Sequence, residues 1–146
     1  MKKLLLAFLV SYSAHAAPLF LENLATGSLE KIEFTKPTVI VFIQPSCIPC
    51  KIQLEALQCL KSDVGDKIQF LAVQANGDSE ELMRGLRRLK LGFPILKGTS
   101  KFLASYEADV SGTPMTVFIE KGGKVKERIL GAQPCIYWKN KKWEGK

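Results

Sequence analysis

Residues Thr38 to Ile43 read TVIVFI, an almost unbroken run of β-branched, aliphatic and aromatic side chains. Successive side chains of a strand point to opposite faces, so a run without polar alternation is apolar on both. Such a strand suits the middle of a sheet that is covered on each side. The rest of the chain supplies the cover. Strand-like runs alternate with helical patterns, and that order favours an α/β domain.

Leu19 to Leu24 and Leu29 to Phe34 flank Ala25-Thr26-Gly27-Ser28, a turn signal, and read as a short hairpin. Pro45 and Ser46 break the central run. From Pro49 to Leu60 the apolar residues Leu54, Leu57 and Leu60 recur at helical spacing. Ile68 to Val73 is a second buried strand. Asp78 with Glu81 three residues on forms an N-cap signature. The helix that follows places Leu82, Met83, Leu86 and Leu89 on one face and Arg84, Arg87 and Arg88 on the other. Ser100 to Tyr106 is a short helix. Met115 to Ile119, Lys121-Gly122-Gly123-Lys124 and Val125 to Leu130 make a hairpin. The predicted order is β-β-β-α-β-α-α-β-β and a short tail.

The first residues are of another kind. Lys2 and Lys3 precede the apolar run Leu4 to Val10, and Ala14-His15-Ala16 is a small-x-small cleavage pattern. This order predicts a signal peptide over residues 1–16 and one domain over 17–146. An N-terminal membrane anchor is the competing reading, but the run is far shorter than the roughly 20 residues a bilayer needs. The expected location is periplasmic or otherwise extracytoplasmic, with no stable membrane insertion after cleavage. Loss of Lys2 and Lys3 lowers the formal net charge from +7 to +5. The remaining positive charge is scattered, with a tail cluster at Lys139, Lys141, Lys142 and Lys146. A nucleic-acid interface would want a basic patch interleaved with aromatics on one element, so none is expected.

All four cysteines, Cys47, Cys50, Cys59 and Cys135, lie after the signal. Export places them where disulfides persist. Cys47 ends a strand-to-helix turn and Cys50 follows one helical turn later, so the two sulfurs face each other. A helix start favours negative charge through its free N–H groups and dipole. In such a setting a thiol pKa falls from about 8.5 into the range of ~3.5 to 7.5. Lys51 adds a nearby cation. Pro49 costs nothing in the first turn, where its missing N–H had no partner. The chemistry this allows is thiol–disulfide exchange: Cys47 attacks a substrate disulfide, and Cys50 resolves the mixed disulfide. A zinc site is the alternative for such a pair, but zinc wants four ligands. Cys59 and Cys135 form no second close pair, and the lone histidine, His15, lies in the signal. No metal or other cofactor is expected. A static structural disulfide remains the other reading of Cys47 and Cys50.

Four segments resemble the thioredoxin superfamily, and within it the exported TlpA/ResA-like branch. They are Ala17-Pro18 with the hairpin after it, Thr38 to Lys51 (TVIVFIQPSCIPCK), Phe93-Pro94-Ile95, and Ser111 to Ile119 (SGTPMTVFI) with its Lys-Gly-Gly-Lys turn. The resemblance covers essentially residues 17 to 134. It implies a thioredoxin-like fold, with a central mixed β-sheet flanked by helices and an N-terminal β-hairpin extension. It implies Cys47 and Cys50 as the catalytic pair. It also implies a cis Pro114 packed against that pair, with Thr113 and Pro114 binding an extended substrate segment as an added strand.

Two positions depart from the family pattern. Ser46 stands where a Trp often precedes the first cysteine. Val41 stands where general-purpose thioredoxins bury an acid, so no carboxylate on the Thr38 to Ile43 strand serves Cys50. In the implied fold the chain end packs on the side of the helix that carries Cys59. Cys59 then reads either as a small buried apolar residue or as a partner of Cys135.

The activity implied is an exported reductase of protein disulfides, of the kind that keeps thiols reduced for haem attachment in cytochrome c maturation. Its partners would be protein thiol or disulfide substrates and a redox partner protein, and the chain would be a monomer. A periplasmic dithiol oxidase and a non-catalytic binding module of the same fold are the rivals. A thiol peroxidase would want Thr or Ser where Gln44 stands. A copper-assembly factor would want wider cysteine spacing and a distant His.

Overall fold

In the computed structural model the described residues are 18–109 and 111–142. The predicted signal lies outside them. Leu19–Glu22 (β1) and Leu29–Ile32 (β2) pair antiparallel as the expected hairpin. Thr38–Ile43 forms β3, and all six of its residues are buried. Ile48–Val64 forms α1, and a single 3-10 turn, Gly65–Lys67, leads from it into β4, Gln69–Gln74. Ser79–Leu86 is α2, Ile95–Lys97 is β5, and Ser100–Ser105 is α3. Met115–Ile119 (β6) and Val125–Leu130 (β7) form the second hairpin, and Cys135–Lys139 is α4.

The main sheet has the order β5-β4-β3-β6-β7. β3 lies at its centre, parallel to β4 and antiparallel to β6. A strand apolar on both faces thus sits where both faces are covered. On one face Val39, Val41 and Ile43 pack with Leu54, Leu57 and Leu60 of α1, Leu82 and Leu86 of α2, and Trp138 of α4. On the other, Ile40 and Phe42 pack with Phe102 and Leu103 of α3 and with Leu21 and Ile32 of the hairpin. The hairpin docks on the β5 edge, where the Leu24 amide donates to the Ile95 carbonyl at 2.9 Å.

Three details differ from the sequence reading. β5 is absent from it, because three residues after a proline carry no strand period. α2 ends at Leu86, one turn short of the expected Leu89. Gly85 weakens the helix at that point, and a Leu89 amide to Leu86 carbonyl bond closes the end. Leu89 still packs against the core, so its apolar periodicity was real although its helix was not. The tail contains α4, whose Trp138 is fully buried against Phe118 at 5.4 Å between ring centres.

The Asp78 cap forms as expected, with Oδ1 accepting from the Glu81 amide at 2.8 Å. No described helix is long and apolar enough to cross a membrane.

Candidate active site

The end of β3 sets the site. Residues 44–47 leave the sheet, and Cys47 becomes the N-cap of α1 in an extended conformation. Ser46 just before it adopts a left-handed backbone (φ 56°), which is uncommon for a residue with a side chain. Its hydroxyl donates to Glu81 Oε1 of α2 at 3.0 Å, which ties the turn down. Gly77 presses on the same turn. A Cβ there would stand 2.7 Å from Pro45 Cδ, and its φ of +82° also requires glycine. The Glu81 of the predicted cap therefore reaches to the turn before Cys47, a contact invisible to local pattern.

Cys47 and Cys50 are joined as a disulfide with Cα atoms 5.2 Å apart. The two sulfurs are not equivalent. Cys50 is 1% exposed and lies behind Cys47, which is 8% exposed. Cys47 Sγ accepts from the Cys50 amide at 3.2 Å, as an N-cap side chain does. Thr113 Oγ1 donates to the same sulfur at 3.7 Å, and the Thr113 carbonyl oxygen lies 3.9 Å from it. The Thr113–Pro114 peptide bond is cis. Cys47, Cys50 and Thr113 thus come together, with Pro114 next in the chain, although 66 positions separate Cys47 from Thr113. Around them Ile48 and Ile52 expose 71% and 52% of their surface, and Leu130 exposes 62%.

Cys59 and Cys135 form the second disulfide, with Cα atoms 6.0 Å apart. Cys59 is exposed, not buried, so of its two readings the bridged one holds. The bridge fastens α4 to the middle of α1. Among the described residues no group of His, Cys, Asp and Glu side chains could hold a metal ion.

One residue that the sequence reading passed over is Gln53. It is fully buried on α1, three positions after Cys50, and its Oε1 accepts from the Gln133 amide at 2.8 Å. Its place in the buried stripe Cys50, Leu54, Leu57 and Leu60 was the available signal.

A family model described as a thioredoxin-like domain matches residues 31–136. The chain belongs to the thioredoxin-like family. No curated protein matches its sequence. Solved structures share the fold of this thioredoxin-like chain. StoA from Bacillus subtilis superposes with a TM-score of 0.65 at 19% identity, covering 84% of this chain and 94% of that one. The exposed lipoprotein thioredoxin Etrx1 from Streptococcus pneumoniae gives a TM-score of 0.68 at 22% identity, covering 84% and 97%. A thiol:disulfide interchange protein DsbE from Chlorobium tepidum gives 0.69 at 18% identity, covering 83% and 86%. At these identities the likeness is one of fold.

Proposed function

We propose that this chain is an exported thiol–disulfide oxidoreductase that reduces protein disulfides through Cys47 and Cys50. The observation that carries the reading is the setting of Cys47 Sγ. A helix-start amide and the Thr113 hydroxyl both donate to it, and donors aimed at a sulfur favour its thiolate over its thiol. In the reduced protein the Cys47 thiolate attacks one sulfur of a substrate disulfide. The substrate S–S bond breaks, its other sulfur leaves as a thiolate, and a mixed disulfide forms. Cys50 then attacks Cys47 Sγ, the Cys47–Cys50 bond closes, and the second substrate thiol departs. Two electrons pass from the pair to the substrate, and a dithiol redox partner protein returns them.

The burial difference supports this division of labour, since the attacking sulfur must meet substrate and the resolving one need not. Thr113 and Pro114 are assigned to hold an extended substrate segment alongside Cys47. The exposed Ile48 and Ile52 give that substrate an apolar surface, which fits a protein segment better than a small polar disulfide. The signal pattern read in residues 1–16 supports work outside the cytoplasm. There, reduction of disulfides to the thiols that await haem attachment is the specific role assigned. The Bacillus, Streptococcus and Chlorobium structures share this fold, and the Chlorobium one is named for thiol:disulfide interchange and the Streptococcus one as an exposed lipoprotein thioredoxin.

The test is trapping in the native compartment with Cys50→Ser. Mixed disulfides should accumulate through Cys47 and identify the substrates. Absence of any adduct, with Cys47 also inert to small disulfides, would assign the fold to binding without catalysis. A reduction potential well above that of the surrounding thiol pool would reverse the direction and make the protein an oxidase.

A further inference from the structure

Two buried polar atoms have no hydrogen-bond partner among the described residues: Gln53 Nε2 and Thr116 Oγ1. Both residues are 0% exposed. Leaving a buried donor unmade costs roughly 1–3 kcal/mol, so two such atoms call for an account.

Their placement gives one. Side chains of an α-helix lean back toward its N-terminus, and a residue covers the turn before its own Cα. Gln53 therefore lies over the turn that carries Cys50, three positions earlier. Its amide cannot rotate freely. The Gln133 amide donates to its oxygen, so the carbonyl end is fixed and the NH2 end must point elsewhere. Thr116 approaches from the sheet. It lies opposite Val41 in the β3–β6 register, and Val41 packs in the same apolar layer as Cys50 and Leu54. Thr116 alternates with Met115 and Val117, which belong to the opposite layer, so its hydroxyl faces the α1 side. Two unused donors thus converge from helix and sheet on the layer that holds the 1%-exposed Cys50.

We propose that Gln53 Nε2–H and Thr116 Oγ1–H are held for the Cys50 sulfur of the reduced protein, where they stabilise the thiolate that resolves the mixed disulfide. This rests on the redox reading above and assigns the donors for its second step. While the Cys50 sulfur is tied to Cys47 neither donor bonds to it; opening the disulfide frees that sulfur to turn toward them. A buried thiolate is a strong acceptor. In the step concerned Cys50 loses its proton to water, its sulfur forms the bond to Cys47 Sγ, and the Cys47–substrate bond breaks. The departing substrate sulfur takes up a proton from water. Neither Gln53 nor Thr116 gains or loses a proton. Their part is to favour the anion where β3 offers Val41 and no carboxylate.

The test uses the reduced full-length protein and 5,5′-dithiobis(2-nitrobenzoate). Cys47 takes up one thionitrobenzoate, and Cys50 then expels it. Quenched-flow mass spectrometry follows formation and decay of the Cys47 adduct across pH. Thr116→Val keeps shape and removes the hydroxyl, Gln53→Leu removes the amide, and Thr116→Ser restores a hydroxyl. The expected result is decay slowed about 10-fold or more in Thr116→Val and in Gln53→Leu, since a hydrogen bond to a charged group contributes about 1.5–3 kcal/mol. The pH midpoint of decay should rise, adduct formation should not change, and Thr116→Ser should decay like the wild type. Unchanged decay in Thr116→Val, as a site holding only a structural water would give, overturns the proposal. So does an equal slowing of formation and decay, which marks general damage. A wild type that forms no adduct defeats the redox reading itself, a separate outcome from any variant's behaviour.

Discussion

Helix α1 carries a disulfide at each of two places, and the two are opposites. At its first turn Cys47 and Cys50 are 3 positions apart and buried, and the Thr113 loop touches them. At its middle the exposed Cys59 joins Cys135, 76 positions away. A short link removes little freedom from an unfolded chain, whereas a long one removes much. The first bond therefore adds little to stability and is surrounded by donors that favour its opening. The second closes most of the domain onto itself and has no such surroundings among the described contacts. On the proposed function the same chemical bond serves exchange in one place and anchorage in the other, and position alone makes the difference.

The most severe test of that contrast is Cys47→Ser. Reduction of a protein disulfide such as that of insulin should fall to the uncatalysed rate. Serine is itself a good N-cap, so denaturant stability should stay within about 1 kcal/mol of the wild type. A large loss of stability would mean that the first bond is an anchor too. At the other end, Trp138→Ala empties the fully buried site against Phe118. Urea unfolding should show a loss of about 3–5 kcal/mol.

The double change Cys59→Ala with Cys135→Ala should remove about 2–4 kcal/mol, while Cys47 still forms trapped adducts in a Cys50→Ser background. Loss of trapping there would erase the division between the two ends. The smallest effect belongs to the ion pair Lys141–Glu127 at 2.8 Å beside α4. Burial opposes the Lys141 charge, but hydrogen bonds and charge from Glu127 and Tyr137 outweigh it and hold its pKa above the ordinary value of 10.5. A raised lysine pKa contributes stability that is complete at neutral pH and lost only as pH climbs through the raised value. Glu127→Gln should thus cost at most about 1 kcal/mol, uniformly from pH 6 to 9, and less in high salt. A larger loss would make charge, rather than the bridge and Trp138, the fastener of the tail.

How much of this was legible beforehand follows from the range of the forces involved. β3 was readable to the residue because five apolar side chains in a row after the β-branched Thr38 allow one environment. The Asp78 cap and the Lys121 to Lys124 turn were readable because backbone groups a few residues apart satisfy each other. β5 was not, since Ile95–Lys97 is a strand only by virtue of β4 beside it. The link from Ser46 to Glu81 and the bridge from Cys59 to Cys135 span 35 and 76 positions. Nothing in the intervening residues encodes either. Gln53 is the instructive case: helical period marks it as buried, but only the fold shows its amide half-used.

The amino-acid order by itself determined the local pieces: a strand wet on neither face, a turn, and a thiol at a helix start with a second thiol one turn on. Those follow from side-chain period, cap chemistry and spacing, which act between near neighbours. Sheet order decided what those pieces meet. It brings Thr113 against Cys47 and Thr116 into the layer of Cys50, because adjacent strands approach within hydrogen-bonding distance however far apart they lie along the chain.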